Sequence, residues 1–290
     1  MHKVVILASG KLGLLVLEEV IQSCEVVAVL TDHGSAAIAV FCAKTGIPVF
    51  KGNPRGGRTA SFIRGISCDI LISVNYLYLV ERDLIDLPGL YAINLHGSLL
   101  PKYRGRTPHV WAIINGETET GITAHLMDEE VDNGMILKQY KIAISEADTG
   151  GDILERFNAV YPQMVKELLE DIAGDALRPQ LQDNSKATYF GKRTPEDGQI
   201  VWDWFRQRIR NWVRAQARPY PGAFCFYNGS KVVIHHAEYS EMGFDAQMDN
   251  GRILAVRDQD LFVKTPNGVL LLSDIECAPD LVFEKGEILK

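Results

Sequence analysis

The first fifty residues alternate between two hydrophobic patterns, and that alternation restricts the fold more than any other feature of the chain. Val4 to Ala8 is an unbroken apolar run, as expected of a strand covered on both faces of a parallel sheet. Ser9-Gly10 turns the chain, and Leu12, Leu15, Val16, Val20 and Ile21 then recur close to helical spacing. Val26 to Leu30 is a second buried strand, residues 35 to 45 read as a helix ended by Gly46, and Ile47 to Phe50 is a third, short strand. Asp69 to Val74 adds another apolar run. The pattern predicts an α/β fold with a Rossmann-like, doubly wound, mainly parallel sheet. Ser9-Gly10-Lys11-Leu12-Gly13 lacks the full dinucleotide fingerprint, so its glycines are read as turn chemistry.

Further on, Thr107-Pro108 starts a helix that stops at Asn115-Gly116, Gly121 to Met127 and Ile136 to Ile144 read as strands, and residues 148 to 172 as a long amphipathic helix. Residues 174 to 200, richer in Gly, Pro, Asn and charge, read as a wrapping linker. After a helix near 202–217, the turn Arg218-Pro219-Tyr220-Pro221-Gly222 opens a run of short strands at 223–228, 231–239, 252–257, 261–265 and 269–275. Asn228-Gly229, Asn250-Gly251 and Asn267-Gly268 punctuate them, which predicts a small C-terminal β domain resembling an open barrel. The expected division is therefore 1–190 for an α/β domain and 191–290 for linker, helix and β module.

Charge and cysteine usage narrow the function classes. With a net charge of −7 and a pI near 5.5, the chain does not read as one whose affinity rests on a broad phosphate-binding surface. The five cysteines are scattered without a CxxC pair, which favours reduced thiols and no structural zinc. MHKVVILASG enters a strand at once rather than reading as a signal peptide, and no apolar run approaches a membrane span. The expectation is a cytoplasmic protein with no membrane partner and no metal. A homodimer is allowed for, without a residue that argues for it.

The chemistry concentrates in Tyr91 to Gly105, YAINLHGSLLPKYRG. Asn94 and His96 are two apart on an apolar strand, so they project from one face, at the strand end where open α/β sheets place ligands. Some forty residues later, DEEVDNGMI places the carboxylate of Asp132 on a turn between two strand-like segments. An amide, an imidazole and a carboxylate together can carry acyl transfer.

Asn94-x-His96-x-Ser98-Leu99-Leu100-Pro101 with Asp132-x-Gly134 resembles the signature of the formyltransferases that use 10-formyltetrahydrofolate. That family includes enzymes acting on methionyl-tRNA, glycinamide ribonucleotide and amino sugars. The resemblance runs clearly from the N-terminus to about residue 240 and is thin beyond it. It implies catalytic roles for Asn94, His96 and Asp132, with His96 as base, Asn94 as a donor to the developing oxyanion, and Asp132 orienting the imidazole, raising its pKa or holding a water. It also implies a folate co-substrate lying against residues 74 to 80 and 126 to 132, which assigns Asn75, Tyr76, Leu77, Met127, Asp128, Val131 and Asp132 to folate binding.

Two features bear on the acceptor. Methionyl-tRNA formyltransferases carry a basic insertion after the second strand, whereas here Leu30 passes through Thr31 to Ser35 into a helix with no Lys or Arg before Lys44. The runs Lys102 to Pro108 and Ala217 to Phe224 resemble the amino-sugar enzymes, the nearest being those acting on UDP-4-amino-4-deoxy-L-arabinose. On that resemblance the acceptor is a nucleotide-linked amino sugar rather than a nucleic acid. Ser98, Tyr103, Arg104, Arg106, Thr107 and Arg218 are its expected contacts, the arginines meeting a diphosphate or a sugar carboxylate. The alternatives left standing are methionyl-tRNA formylation, a formyltetrahydrofolate hydrolase, and a binding module that has kept the fold.

Overall fold

The computed structural model describes residues 1–290. The chain begins β1 (Lys3–Ala8), α1 (Gly10–Val20), β2 (Glu25–Thr31), α2 (Ala36–Thr45) and β3 (Val49–Lys51). Next come α3 (Ala60–Ile63), β4 (Cys68–Val74), α4 (Arg82–Ile85), β5 (Pro88–His96), the short β6 (Arg104–Gly105) and α5 (Pro108–Ile114). Then follow β7 (Glu119–Leu126), β8 (Ile136–Ala143), α6 (Gly150–Ala173), β9 (Tyr189–Phe190) and α7 (Arg206–Ala215). The chain ends with β10 (Ala223–Tyr227), β11 (Ser230–Ser240), β12 (Ile253–Arg257), β13 (Asp260–Thr265) and β14 (Gly268–Glu276). Two compact units interleave along this order. One comprises Met1–Gly105, Thr120–Ile142 and Glu155–Phe190, the other Arg106–Glu119, Ala143–Leu154 and Gly191–Lys290. The single cut expected after residue 190 is thus one of several crossings.

In the first unit seven strands lie in the order β3-β2-β1-β4-β5-β7-β8. β1 to β5 pair in parallel, and β7 runs antiparallel to β5. This is the doubly wound, mainly parallel sheet that the apolar runs predict. Val4 to Ala8 are wholly buried, and so are Ile70, Leu71, Ile72 and Val74. Each such aliphatic side chain contributes about 1.5–3 kcal/mol on leaving water. α1 crosses β1 so closely that a Cβ on Gly13 would stand 2.9 Å from that of Ala8. Glycine there is a packing requirement, which agrees with reading the 9–13 loop as turn and packing rather than nucleotide recognition.

Strand register decides what surrounds the end of β5. Ser73 of β4 lies beside Asn94, while antiparallel β7 sets His125 beside Asn94 and Thr123 beside His96. Just past β5, Gly97 rests on α6, where a Cβ would come within 2.8 Å of the Phe157 ring. The buried Thr123 hydroxyl donates to the Ser98 carbonyl (2.7 Å) and accepts from the Leu100 amide (3.1 Å) and Gln139 (2.8 Å). The start of the loop leaving β5 is therefore tied at Ser98 and Leu100 to the Thr123 side chain.

The second unit carries an antiparallel sheet in the order β10-β11-β14-β13-β12. α7 packs on β11, and α5 on α7. Residues 286 to 290 bond to Gly251 and Ile253 at the β12 edge and to Phe226 of β10. The tail thus bridges the two sheet edges, consistent with the expected small open barrel. No helix is long and apolar enough to cross a membrane.

Candidate active site

Three loops of the first unit converge on the end of β5. β5 delivers Asn94 and His96, the turn after β7 delivers Asp132, and the chain through Tyr103 to Gly105 closes over both. Asp132 adopts φ 55°, a left-handed conformation that an Asx residue tolerates. Gly134 passes so near β7 that a Cβ would stand 1.9 Å from the Leu126 carbonyl oxygen. The Asp-x-Gly spacing of the sequence is thus a backbone specification that turns the carboxylate back toward Asn94.

The hydrogen bonds define the chemistry. Asp132 Oδ2 accepts the Gly105 amide at 2.8 Å and lies 3.5 Å from His96 Nδ1. Asp132 Oδ1 accepts from Asn94 Nδ2 at 3.3 Å and lies 3.5 Å from His125 Nε2. His96 Nε2 is 2.7 Å from the Tyr103 carbonyl oxygen, an obligate acceptor, so Nε2 carries a proton and Nδ1 is the nitrogen left to exchange one. His125 Nδ1 likewise donates to the Leu126 carbonyl at 2.8 Å, and in the neutral ring Nε2 then accepts from Asn94 Nδ2 at 3.1 Å. That chain of donors fixes the orientation of the Asn94 amide.

Electrostatics follow from burial. His96 is 6% exposed and Asp132 9%. Desolvation draws the imidazole of His96 below its ordinary pKa, against the opposing pull of Asp132 and the Tyr103 carbonyl. Burial alone would raise Asp132, but His96, His125 and the Gly105 amide outweigh it and hold the carboxyl at about 2. A buried carboxylate that stays ionised beside an imidazole pushed toward neutrality is an acid–base pair with separated tasks.

Residues 2–169 match the family model for formyl transferase, and residues 192–279 match that for the formyl transferase C-terminal domain. The first match alone spans more than half of the 290 residues. The chain belongs to the formyl transferase family. Among solved structures it is similar to WlaRD, a sugar 3N-formyl transferase crystallised in the presence of dTDP and 5-N-formyl-THF. That pair shares 18% identity over 97% of this chain and 99% of the other, at TM-score 0.73. An N-formyltransferase from Helicobacter canadensis, in complex with folinic acid and dTDP-3-aminofucose, aligns at 18% identity over 95% and 100% of the two chains, also at 0.73. Methionyl-tRNA formyltransferase from Clostridium thermocellum aligns at 15% identity over 96% and 99%, at 0.60. At these identities the likeness is one of fold, and fold alone does not choose among acceptors.

Within this formyl transferase the predicted residues separate. Asn94, His96 and Asp132 meet as expected, and His125 joins them. Sequence reasoning passed over His125 because only the β5–β7 register brings it beside Asn94. The two segments expected to bind folate adjoin each other. Arg82 pairs with Glu129 at 2.8 Å, and Met127 packs on the cluster containing Tyr76 and Tyr78. Leu77, Leu79 and Val131 all stay about half exposed, a supply of apolar surface suited to a flat aromatic ligand. Asn75 donates to the Ser9 carbonyl at 3.1 Å and Asp128 accepts the Glu130 amide at 3.0 Å. The Tyr76 side chain is buried against Tyr78, its hydroxyl pushed far up by desolvation, and it packs the core.

The residues expected at the acceptor fare differently, and three of them turn inward. Ser98 is buried, and its hydroxyl donates to the Lys102 carbonyl at 2.7 Å, bracing the loop. Tyr103 is buried with its ring stacked on Phe190 at 4.9 Å, so its contribution to the site is its carbonyl. Arg104 is 1% exposed and its guanidinium is consumed internally by Gln182, Asn184 and Tyr189. A cation spent in this way does not meet a diphosphate. Arg218 forms ion pairs with Asp274 and Glu276 on β14 of the second unit. Arg106 and Thr107 belong to the second unit as well, with Thr107 at φ 48° before α5. The stretch from 180 to 190, read as linker, supplies instead the partners of Arg104.

Proposed function

We propose that this formyl transferase moves the formyl group of 10-formyltetrahydrofolate to the amine of a nucleotide-linked amino sugar. The carrying observation is the cluster of half-buried Asn94 with buried His96 and Asp132 at the carboxyl end of β5. Leu77, Leu79 and Val131, in the two segments assigned to folate, stay exposed. The neighbours named above were crystallised with folates and with dTDP or dTDP-3-aminofucose, and that precedent supports the same substrate classes here. β2 ends at Thr31 and α2 begins at Ala36, so the connection is only Asp32 to Ser35 and holds no Lys or Arg. A tRNA acceptor arm would need several.

The chemistry assigns one task to each group. The acceptor amine attacks the formyl carbon, forming the new C–N bond and placing charge on the formyl oxygen. That oxygen takes over the Asn94 Nδ2 hydrogen held least tightly, the one at 3.3 Å from Asp132. His96 Nδ1 accepts the proton released by the amine, and ionised Asp132 stabilises the resulting imidazolium. Collapse of the tetrahedral intermediate breaks the bond to the folate nitrogen, which leaves with that proton. His125 keeps the Asn94 amide oriented through the 3.1 Å contact. All five cysteines are unpaired and four are buried, which fits work in the cytoplasm.

The test is a panel of dTDP- and UDP-linked amino sugars incubated with enzyme and 10-formyltetrahydrofolate, read by mass spectrometry. The expected result is gain of one formyl group on at least one of them, with affinity falling only gently as salt is raised. Charged initiator tRNA formylated faster than every sugar tried, with a steep salt dependence, would overturn the acceptor assignment.

A further inference from the structure

Arg104 presents a puzzle that acceptor binding does not solve. A guanidinium only 1% exposed is held by four neutral contacts and no carboxylate. Nε and Nη2 reach Gln182 Oε1 at 3.2 and 2.6 Å, Nη2 also reaches Asn184 Oδ1 at 2.7 Å, and Nη1 reaches the Tyr189 hydroxyl at 2.6 Å. Burying a charge among uncharged acceptors is costly unless its geometry is used.

The main chain on either side of Arg104 shows that use. Tyr103, at φ 61°, directs its carbonyl to His96 Nε2, and Gly105, at φ 103°, directs its amide to Asp132 Oδ2. The amide of Arg104 itself donates to the Thr188 carbonyl at 2.9 Å, and that of Tyr103 to the Thr188 hydroxyl at 2.8 Å. Gln182 closes the circuit from the far side: its Nε2 donates to the Asp132 carbonyl at 2.9 Å and the Gly134 carbonyl at 2.7 Å. One side-chain amide thus accepts from Arg104 while gripping the turn that carries Asp132. The carboxylate of Asp132 is held through Gly105 and its backbone through Gln182.

We propose that Arg104 and Gln182 are positioning residues that form one clamp. The clamp sets the Tyr103 carbonyl and the Gly105 amide, and through them the ring of His96 and the carboxylate of Asp132, for formyl transfer. The inference rests on the reading of His96 and Asp132 as catalytic. It assigns the 180–190 segment a part in catalysis although none of its side chains reaches the reacting atoms. A fork of donors is needed, because a lysine ammonium cannot hold Gln182, Asn184 and Tyr189 in one plane.

Gln182→Leu and Arg104→Lys test it, with His96→Ala as the control on the catalytic reading. With the dTDP- and UDP-linked amino sugars as acceptors, each clamp variant should lose about 10- to 100-fold in kcat. KM for folate and for acceptor should stay within about threefold, since neither residue touches a ligand. The Gln182→Leu/Asp132→Ala double variant should lose clearly less kcat than the product of the two single losses, because part of the clamp acts through Asp132. A substrate-free readout is the ¹⁵N spectrum of the His96 ring, which should show a single Nε2–H tautomer in the wild type and lose it in Gln182→Leu. Should Arg104→Lys fail to fold, Gln182→Leu and Asn184→Ala carry the test from exposed or partly exposed positions. An unchanged His96 ring spectrum and kcat in Gln182→Leu would overturn the clamp. So would a rise of tenfold or more in acceptor KM at unchanged kcat in Arg104→Lys. An active His96→Ala would instead remove the catalytic reading beneath it, so the two failures are distinguishable.

Discussion

Replacing Gly105 with alanine should damage stability and turnover together, and the structure sets the size of both effects. Gly105 sits at φ 103°, where an L side chain is strained by roughly 1–2 kcal/mol. An alanine Cβ would also stand 2.2 Å from the Phe190 carbonyl oxygen, more than an ångström inside ordinary contact. Relief requires β6 to part from β9, where Gly105 pairs with Phe190. Any such movement pulls the Gly105 amide off Asp132, and a hydrogen bond to a buried charged group is worth about 1.5–3 kcal/mol. Together these make a loss of about 3–5 kcal/mol in urea unfolding monitored by far-UV circular dichroism. In the folded fraction kcat should drop at least tenfold, because Asp132 loses the donor that aims Oδ2 toward His96. A Gly105→Ala protein within about 1 kcal/mol of wild type and fully active would refute the reasoning, since β6 and the Asp132 contact would then be dispensable.

Three further expectations follow from the same geometry. Alanine at Asn94, His96 or Asp132 should each lower kcat by at least about 100-fold, and the triple variant should lose far less than the product of the three, in steady-state assays on folded protein. Because folding holds Asp132 at about 2, below its unfolded value, its ionisation stabilises the fold above about pH 4 and that contribution drains away as pH falls toward 2. The stability gap between wild type and Asp132→Asn, about 2 kcal/mol at neutral pH, should therefore close over that window in pH-dependent urea melts; a gap that persists at pH 2 contradicts the assignment. Arg218→Ala removes only solvent-exposed ion pairs, so Tm should hardly move and acceptor KM should stay within about twofold; a much larger KM would restore Arg218 as an acceptor contact.

The sequence by itself determined most of the elements and the candidate trio Asn94, His96 and Asp132. Val4 to Ala8, Val26 to Leu30 and Asp69 to Val74 read as buried strands because both faces of a parallel sheet are covered, so apolar residues dominate them, with Ser73 the one polar side chain inside a run. Asn94 and His96 were legible because the two-residue period of a strand places them on one face, and Asp132-x-Gly134 because such a turn needs residues that accept unusual backbone conformations. Long-range pairing decided the rest. Antiparallel β7 brings His125 to Asn94, and no local pattern encodes that register. The return of residues 180 to 190 across the 103–105 and 132–134 loops turned Arg104 from an expected acceptor contact into a buried hub. Ser98 and Tyr103 turned inward for a related reason. A polar or charged side chain in a sequence carries the same donors whether it faces a ligand or its own backbone, and only the fold determines which acceptors lie within 3 Å of it.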